Sequence, residues 1–93
     1  MIKNYILQTI GERKVDIGIV MVYNYCPPTK PSRLVSPTPQ EYLIEEKGRA
    51  ILVKLVDDSA DVKICGRDNK EIEKTAKSFG KKLSKYNLEL ITA

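Results

Sequence analysis

Five lysines, Lys70, Lys74, Lys77, Lys81 and Lys85, recur at spacings of four, three, four and four residues. At ~100° per residue that spacing places all five ammonium groups along one side of a helix, about one per turn. A row of this kind can contact successive phosphates of a nucleic-acid backbone and release their condensed counterions without reading a base. Arg67 stands just ahead of the row and Lys82 to one side. Between Arg67 and Lys85 there are seven basic and three acidic residues, against nine of each in the rest of the chain, so the formal net charge of +4 belongs to this segment. The competing account is a solvated outer face, which a helix on a sheet always presents and which lysine commonly fills. Against it, Lys81, Lys82 and Lys85 have no helical acid three or four residues away to pair with. Cations near a helix C-terminus also offset the helix dipole, which gives part of this placement a structural cause.

The other residue types offer less chemistry. The chain has no histidine, which removes histidine-dependent triads, the imidazole pH switch and most catalytic zinc sites. Two cysteines, Cys26 and Cys65, lack CxxC spacing and are expected to be reduced. Arg67 and a helix start beside Cys65 would favour a thiolate, but a structural cysteine at a strand end accounts for the same position. Asp57, Asp58 and Asp61 offer oxygen ligands around a turn, yet the glycine and spacing of a calcium loop are missing. No metal, cofactor or catalytic set is assigned, and a non-catalytic protein is expected. An acidic patch of Glu41, Glu45, Glu46, Asp57, Asp58 and Asp61 together with the lysine row would also permit head-to-tail or self-complementary association.

The lysines must sit on the segment Asp68 to Tyr86, whose apolar residues Ile72, Ala76, Phe79, Leu83 and Tyr86 recur at helical spacing. Asp68 is suited to cap its first turn, and Glu71 to reach back in a capping box. The segment Ile64 to Ile72 has a likeness to the glycine-bounded basic loop of KH domains. Asn69 stands where that loop ends in glycine, so a capped strand-to-helix turn is the simpler account.

Upstream, residues 2–10 read as a strand closed by the Gly11-Glu12 turn, in competition with a short helix from Asn4, since Ile2, Ile6 and Ile10 are also one helical turn apart. Residues 14–25 read as a long central strand, with Val15, Ile17, Ile19, Met21, Tyr23 and Tyr25 alternating and Gly18 marking a bulge or the close packing of another backbone. All five prolines then fall between Pro27 and Pro39, which predicts an exposed loop over about 26–38. As a partner-binding loop it would use Tyr25, Pro27, Pro28, Lys30 and Arg33; the plain alternative is a surface excursion. Thr38-Pro39 with Glu41 predicts a short helix over 39–47 stopped by Gly48, in competition with a hairpin of 41–46 and 50–56. Ala50–Val56, Asp61–Cys65 and Leu88–Thr92 read as strands.

The expected architecture is a single α+β domain spanning residues 1–93. It is a ferredoxin-like βαββαβ fold, the split-βαβ pattern, with an antiparallel sheet, an extra N-terminal strand and both helices on one face. An RNA-recognition sheet of that topology would need aromatic residues on its strands, and Asp61–Cys65 has none. No run approaches the ~20 apolar residues of a membrane span and no signal peptide is read, so a cytoplasmic location is expected. Ten isoleucines with abundant Lys and Glu resemble a thermophile's usage, as would an A+T-rich genome. The favoured function is RNA or DNA backbone binding through Arg67, Lys70, Lys74, Lys77, Lys81 and Lys85. The alternative is a protein-interaction or homodimeric regulatory module working through the proline loop and a sheet edge.

Overall fold

In the computed structural model, which describes residues 1–25, 40–46 and 48–93, alternate residues of five strands turn to one common face. The elements run β1 (Ile2–Thr9), α1 (Ile17–Tyr25), β2 (Glu41–Glu46), β3 (Arg49–Val56), β4 (Ser59–Cys65), α2 (Asn69–Ser84) and β5 (Leu88–Thr92). The strands form one antiparallel sheet in the order β2-β3-β4-β1-β5. Its register sets Tyr5 opposite Val62, Val62 opposite Val53 and Val53 opposite Tyr42, so a row of buried side chains crosses four strands. Ile17, Val20 and Met21 of α1 and Ile72, Phe79 and Leu83 of α2 join the same cluster, so both helices cover this face. Burying one such aliphatic or aromatic side chain contributes roughly 1.5–3 kcal/mol, which is the main force holding the layers together. Among the described residues no helix lies on the other sheet face. It presents Ile6, Leu43, Leu52 and Ile91 among Glu41, Glu45, Asp61 and Glu89, with Lys54 and Lys63 as its cations.

Two elements differ from the sequence reading. Residues 17–25 are a helix, not the second half of a central strand. Asp16 caps it, its Oδ1 accepting from the Ile19 amide at 3.2 Å and its carbonyl from the Val20 amide. A segment apolar on both sides of a strand is equally apolar around a helix, so alternation alone does not separate the two. Burial does: Ile17, Val20 and Met21 are inside, whereas Ile19 and Tyr23 are exposed. Gly18 is a helix position where a side chain would meet Leu55 at 3.1 Å, and its carbonyl accepts from the Tyr42 hydroxyl at 3.4 Å.

The second difference is β2, where the hairpin forms in place of the short helix read over 39–47. Gly48, at φ +77°, serves the turn rather than a helix end. Tyr42 and Ile44 alternate with exposed Leu43 and Glu45, and pairing with β3 outweighs a local cap signal. Thr38, Pro39 and Lys47 lie outside the described residues. The order is therefore βαβββαβ. The first strand is an interior member between β4 and β5, not an N-terminal addition, and β2 is an edge strand. Among the described residues no helix is long and apolar enough to cross a membrane.

The helix assignment of α1 has a direct test. Met21→Ala should cost about 2–5 kcal/mol in urea denaturation and Tyr23→Ala within about 0.5 kcal/mol. A strand would put both residues on one face, so equal losses would refute the helix.

Candidate nucleic-acid interface

Placement of the lysine row begins with the cap of α2. Asp68, in extended backbone at φ −150°, accepts from the Glu71 amide at 2.9 Å, and its carbonyl takes the Ile72 amide. The helix then packs by Ile72, Phe79 and Leu83, with Thr75 also buried and its hydroxyl donating to the Glu71 carbonyl at 2.8 Å. Lys70, Lys74, Lys77, Lys81 and Lys85 are consequently exposed, roughly opposite that stripe at ~100° per residue. Tyr86 closes the apolar sequence from just beyond the helix, 40% exposed, in the turn of 85–87.

The three acids of the segment are engaged away from this row. Asp68 is used by the cap. The Glu71 carboxylate does not complete a capping box but receives two arginines, Nε of Arg67 at 3.0 Å on Oε2 and Nε of Arg49 at 3.3 Å on Oε1. The Arg67 hydrogen bond holds the Glu71 carboxyl below its ordinary pKa, against the opposing effect of partial burial, and Arg49 acts in the same direction. Glu73 lies one turn before Lys77, yet the ion pair it makes is with Lys3 of β1, at 4.0 Å. Among the described residues no ion pair involves Lys70, Lys74, Lys77, Lys81 or Lys85. Five neighbouring like charges that make no ion pair repel one another, and an incoming polyanion relieves that repulsion.

Arg67 is a different case. Its side chain is exposed but bonded to Glu71, so it stands at the row's head as a partnered cation. Of the residues read as a partner-binding loop, Tyr25 is the last residue of α1, half-buried and edge-to-face with Phe79 at 5.6 Å. Pro27, Pro28, Lys30 and Arg33 lie outside the described residues, as does Cys26. Cys65 is half-buried at the end of β4, on the helix-free face opposite Ile2 and Ala50. Asp57 and Asp58 form the β3–β4 turn, and among the described residues no group of three or more candidate ligands gathers to hold a metal ion.

The helix-free sheet face is not a stacking platform. Its described strand positions hold no aromatic residue, because Tyr5 and Tyr42 both turn to the buried side. Two cations that spacing in the sequence leaves out, Arg13 and Lys14, lie at the C-terminal end of the lysine row, in contact with the same cavity as Lys85. The one local signal for them is Asn87, which breaks the helix in the left-handed region at φ 62° and holds the turn ahead of them. No family model matches the chain, and no curated protein or solved structure matches it either.

The Glu71 arrangement gives a pH-dependent expectation. A carboxyl with a lowered folded-state pKa contributes stability above the ordinary carboxylate range and loses it as pH falls through the folded value. The stability gap between wild type and Glu71→Gln, read from urea midpoints, should be widest at neutral pH and close in acid. An equal gap at both would show that the two arginines do not stabilise the charged form.

Proposed function

We propose that the protein is a non-catalytic module that binds RNA or DNA strands through their phosphate backbone, without base readout. Lys74, Lys77, Lys81 and Lys85 are the principal phosphate contacts, with Lys70 and Arg67 supporting at the helix start. The observation that carries this reading is the unneutralised lysine row: the acids nearest to it are committed to a cap, to Arg49 and Arg67, and to Lys3. The missing aromatic platform argues for backbone contact over base stacking. We read the scaffold as ferredoxin-like with an added edge strand. Without β2 the order is βαββαβ, and β4 and β5, joined through α2, flank β1 in the manner of a split βαβ unit. Fold alone assigns no function, so the charge arrangement bears the weight.

A second reading, a homodimeric or protein-interaction module, is favoured by the helix-free sheet face. Leu43, Val56 and Ile91 are each more than a third exposed there, and among the described residues β2 and β5 each leave one edge unpaired in the sheet. A mass that rises with protein concentration, without affinity for any strand, would favour it.

Titration of labelled single strands at several salt concentrations tests the first reading. With four principal contacts the logarithm of the binding constant should fall with the logarithm of salt at a slope near −3, and Lys77→Gln/Lys81→Gln should flatten it by about 1.4. An unchanged slope in that variant, or no binding by wild type, would defeat the proposal.

A further inference from the structure

Beyond Lys85 the lysine row runs into a recess. A cavity of about 360 Å³ opens between the chain ahead of α1 and the end of α2, with Arg13, Lys14 and Lys85 in its wall beside Val20, Tyr86 and Asn87. The walls are fixed by hydrogen bonds that do not use the cations. Asn87 Nδ2 donates to the carbonyls of Ile10 at 2.9 Å and Arg13 at 3.4 Å, and the Ile10 amide donates back to the Asn87 carbonyl at 2.9 Å. The Tyr86 hydroxyl donates to Asn24 Oδ1 at 2.9 Å, and Asn24 Nδ2 donates to the Val20 carbonyl at 2.8 Å, tying the end of α2 to α1. Among the described residues no acid lines the cavity: Glu12, next to Arg13 in the chain, and Asp16, two residues beyond Lys14, both lie outside its wall, and Asp16 turns Oδ1 to the amide of Ile19. Among the described residues Arg13, Lys14 and Lys85 make no ion pair. Three cations thus border one cavity whose lining holds no carboxylate, while Lys14 on its other side also lines a recess with Asp16, Asp57 and Asp58; an anion in the cavity would be stabilised by the two arms of the wall, Arg13 with Lys14 and Lys85.

We propose that this cavity seats the terminal phosphate monoester of a nucleic-acid strand whose backbone lies along the α2 lysines; the inference rests on that reading of the row. An internal phosphodiester carries one charge and continues on both sides, which suits an open ridge. A recess suits a group attached on one side only. A monoester meets that condition and carries about −1.5 to −2 charge at neutral pH, matched to three cations rather than one. Tyr86 adds an aromatic wall beside the last nucleotide, where a base can stack. The chemistry recognised is the phosphate monoester, present on strand ends, nucleoside monophosphates and, as the free ion, inorganic phosphate.

The experiment compares one short oligonucleotide bearing a 5′-phosphate, a 3′-phosphate or hydroxyls at both ends, by fluorescence anisotropy. The proteins are wild type, Arg13→Gln/Lys14→Gln and Lys77→Gln/Lys81→Gln; Arg13 and Lys14 are exposed, and circular dichroism checks that each variant is folded. Wild type should bind one phosphorylated end about tenfold tighter than the hydroxyl-ended strand. That ratio should fall to about one in Arg13→Gln/Lys14→Gln, whereas Lys77→Gln/Lys81→Gln should weaken every strand and keep the ratio, since it leaves the three cavity cations in place. Equal affinity for all ends in wild type, or an end preference that survives the loss of Arg13 and Lys14, overturns the cavity assignment while leaving the backbone reading intact. Absence of binding to every strand overturns the backbone reading and the strand-end assignment with it. Inorganic phosphate and a nucleoside monophosphate, titrated separately and followed by amide shifts of residues 13–15, distinguish the sources: shifts there without strand binding make the cavity a small-anion site and refute the proposal.

Discussion

The burial of Ile72, Phe79 and Leu83 of α2 in one cluster with Tyr5, Leu7, Val62 and Leu88 of the sheet removes water from both layers and fixes the rotation of the helix about its axis. With the rotation fixed, the lysines have only one direction to point. The same burial draws in α1, since Tyr25 at its end meets Phe79 edge to face. Glu71 then bridges Arg67, just ahead of α2, and Arg49, at the start of β3. The positions of the charged groups on α2 are thus consequences of apolar packing beneath them.

What could be read from the sequence follows from how many periods each segment supports. The segment of α2 supports one: apolar residues at helical spacing, an aspartate cap, lysines opposite, and an asparagine at its end. Its boundaries and its exposed face are legible from those residues alone. The strands β3, β4 and β5 are short and bounded by turn residues, and their positions are legible too. The segment of α1 is not, because Ile17, Ile19, Val20, Met21 and Val22 are apolar at both the strand and the helix period, and Asp16 was the single local signal for a helix start. For β2 the local signals point the wrong way. The alternation of Tyr42 and Ile44 acquires its meaning from β3, a partner outside the segment itself.

The same distinction separates the two parts of the basic surface. The lysine row lies on one helix, so a period reveals it. Arg13 and Lys14 are far from Lys85 in sequence and reach the same cavity because Asn87 adopts a left-handed conformation and bonds back to the chain at Ile10 and Arg13. An asparagine after a helix reads as a stop; what it fastens is a tertiary fact. The helix-free sheet face lies between these cases. The register follows from alternation, but that its tyrosines all turn inward follows from which face the helices cover.

That two-sidedness gives the molecule a direction. The lysines of α2 point away from the sheet, while the described strand positions of the opposite face hold four carboxylates against two ammonium groups. Among these described groups the centres of positive and negative charge are displaced along the normal to the sheet, which makes an electric dipole on top of the net charge. In the field of a polyanion such a body feels a torque as well as an attraction, over a range set by the ~8–10 Å Debye length of physiological salt. It would turn before it touches, so that the helical layer leads and the sheet trails.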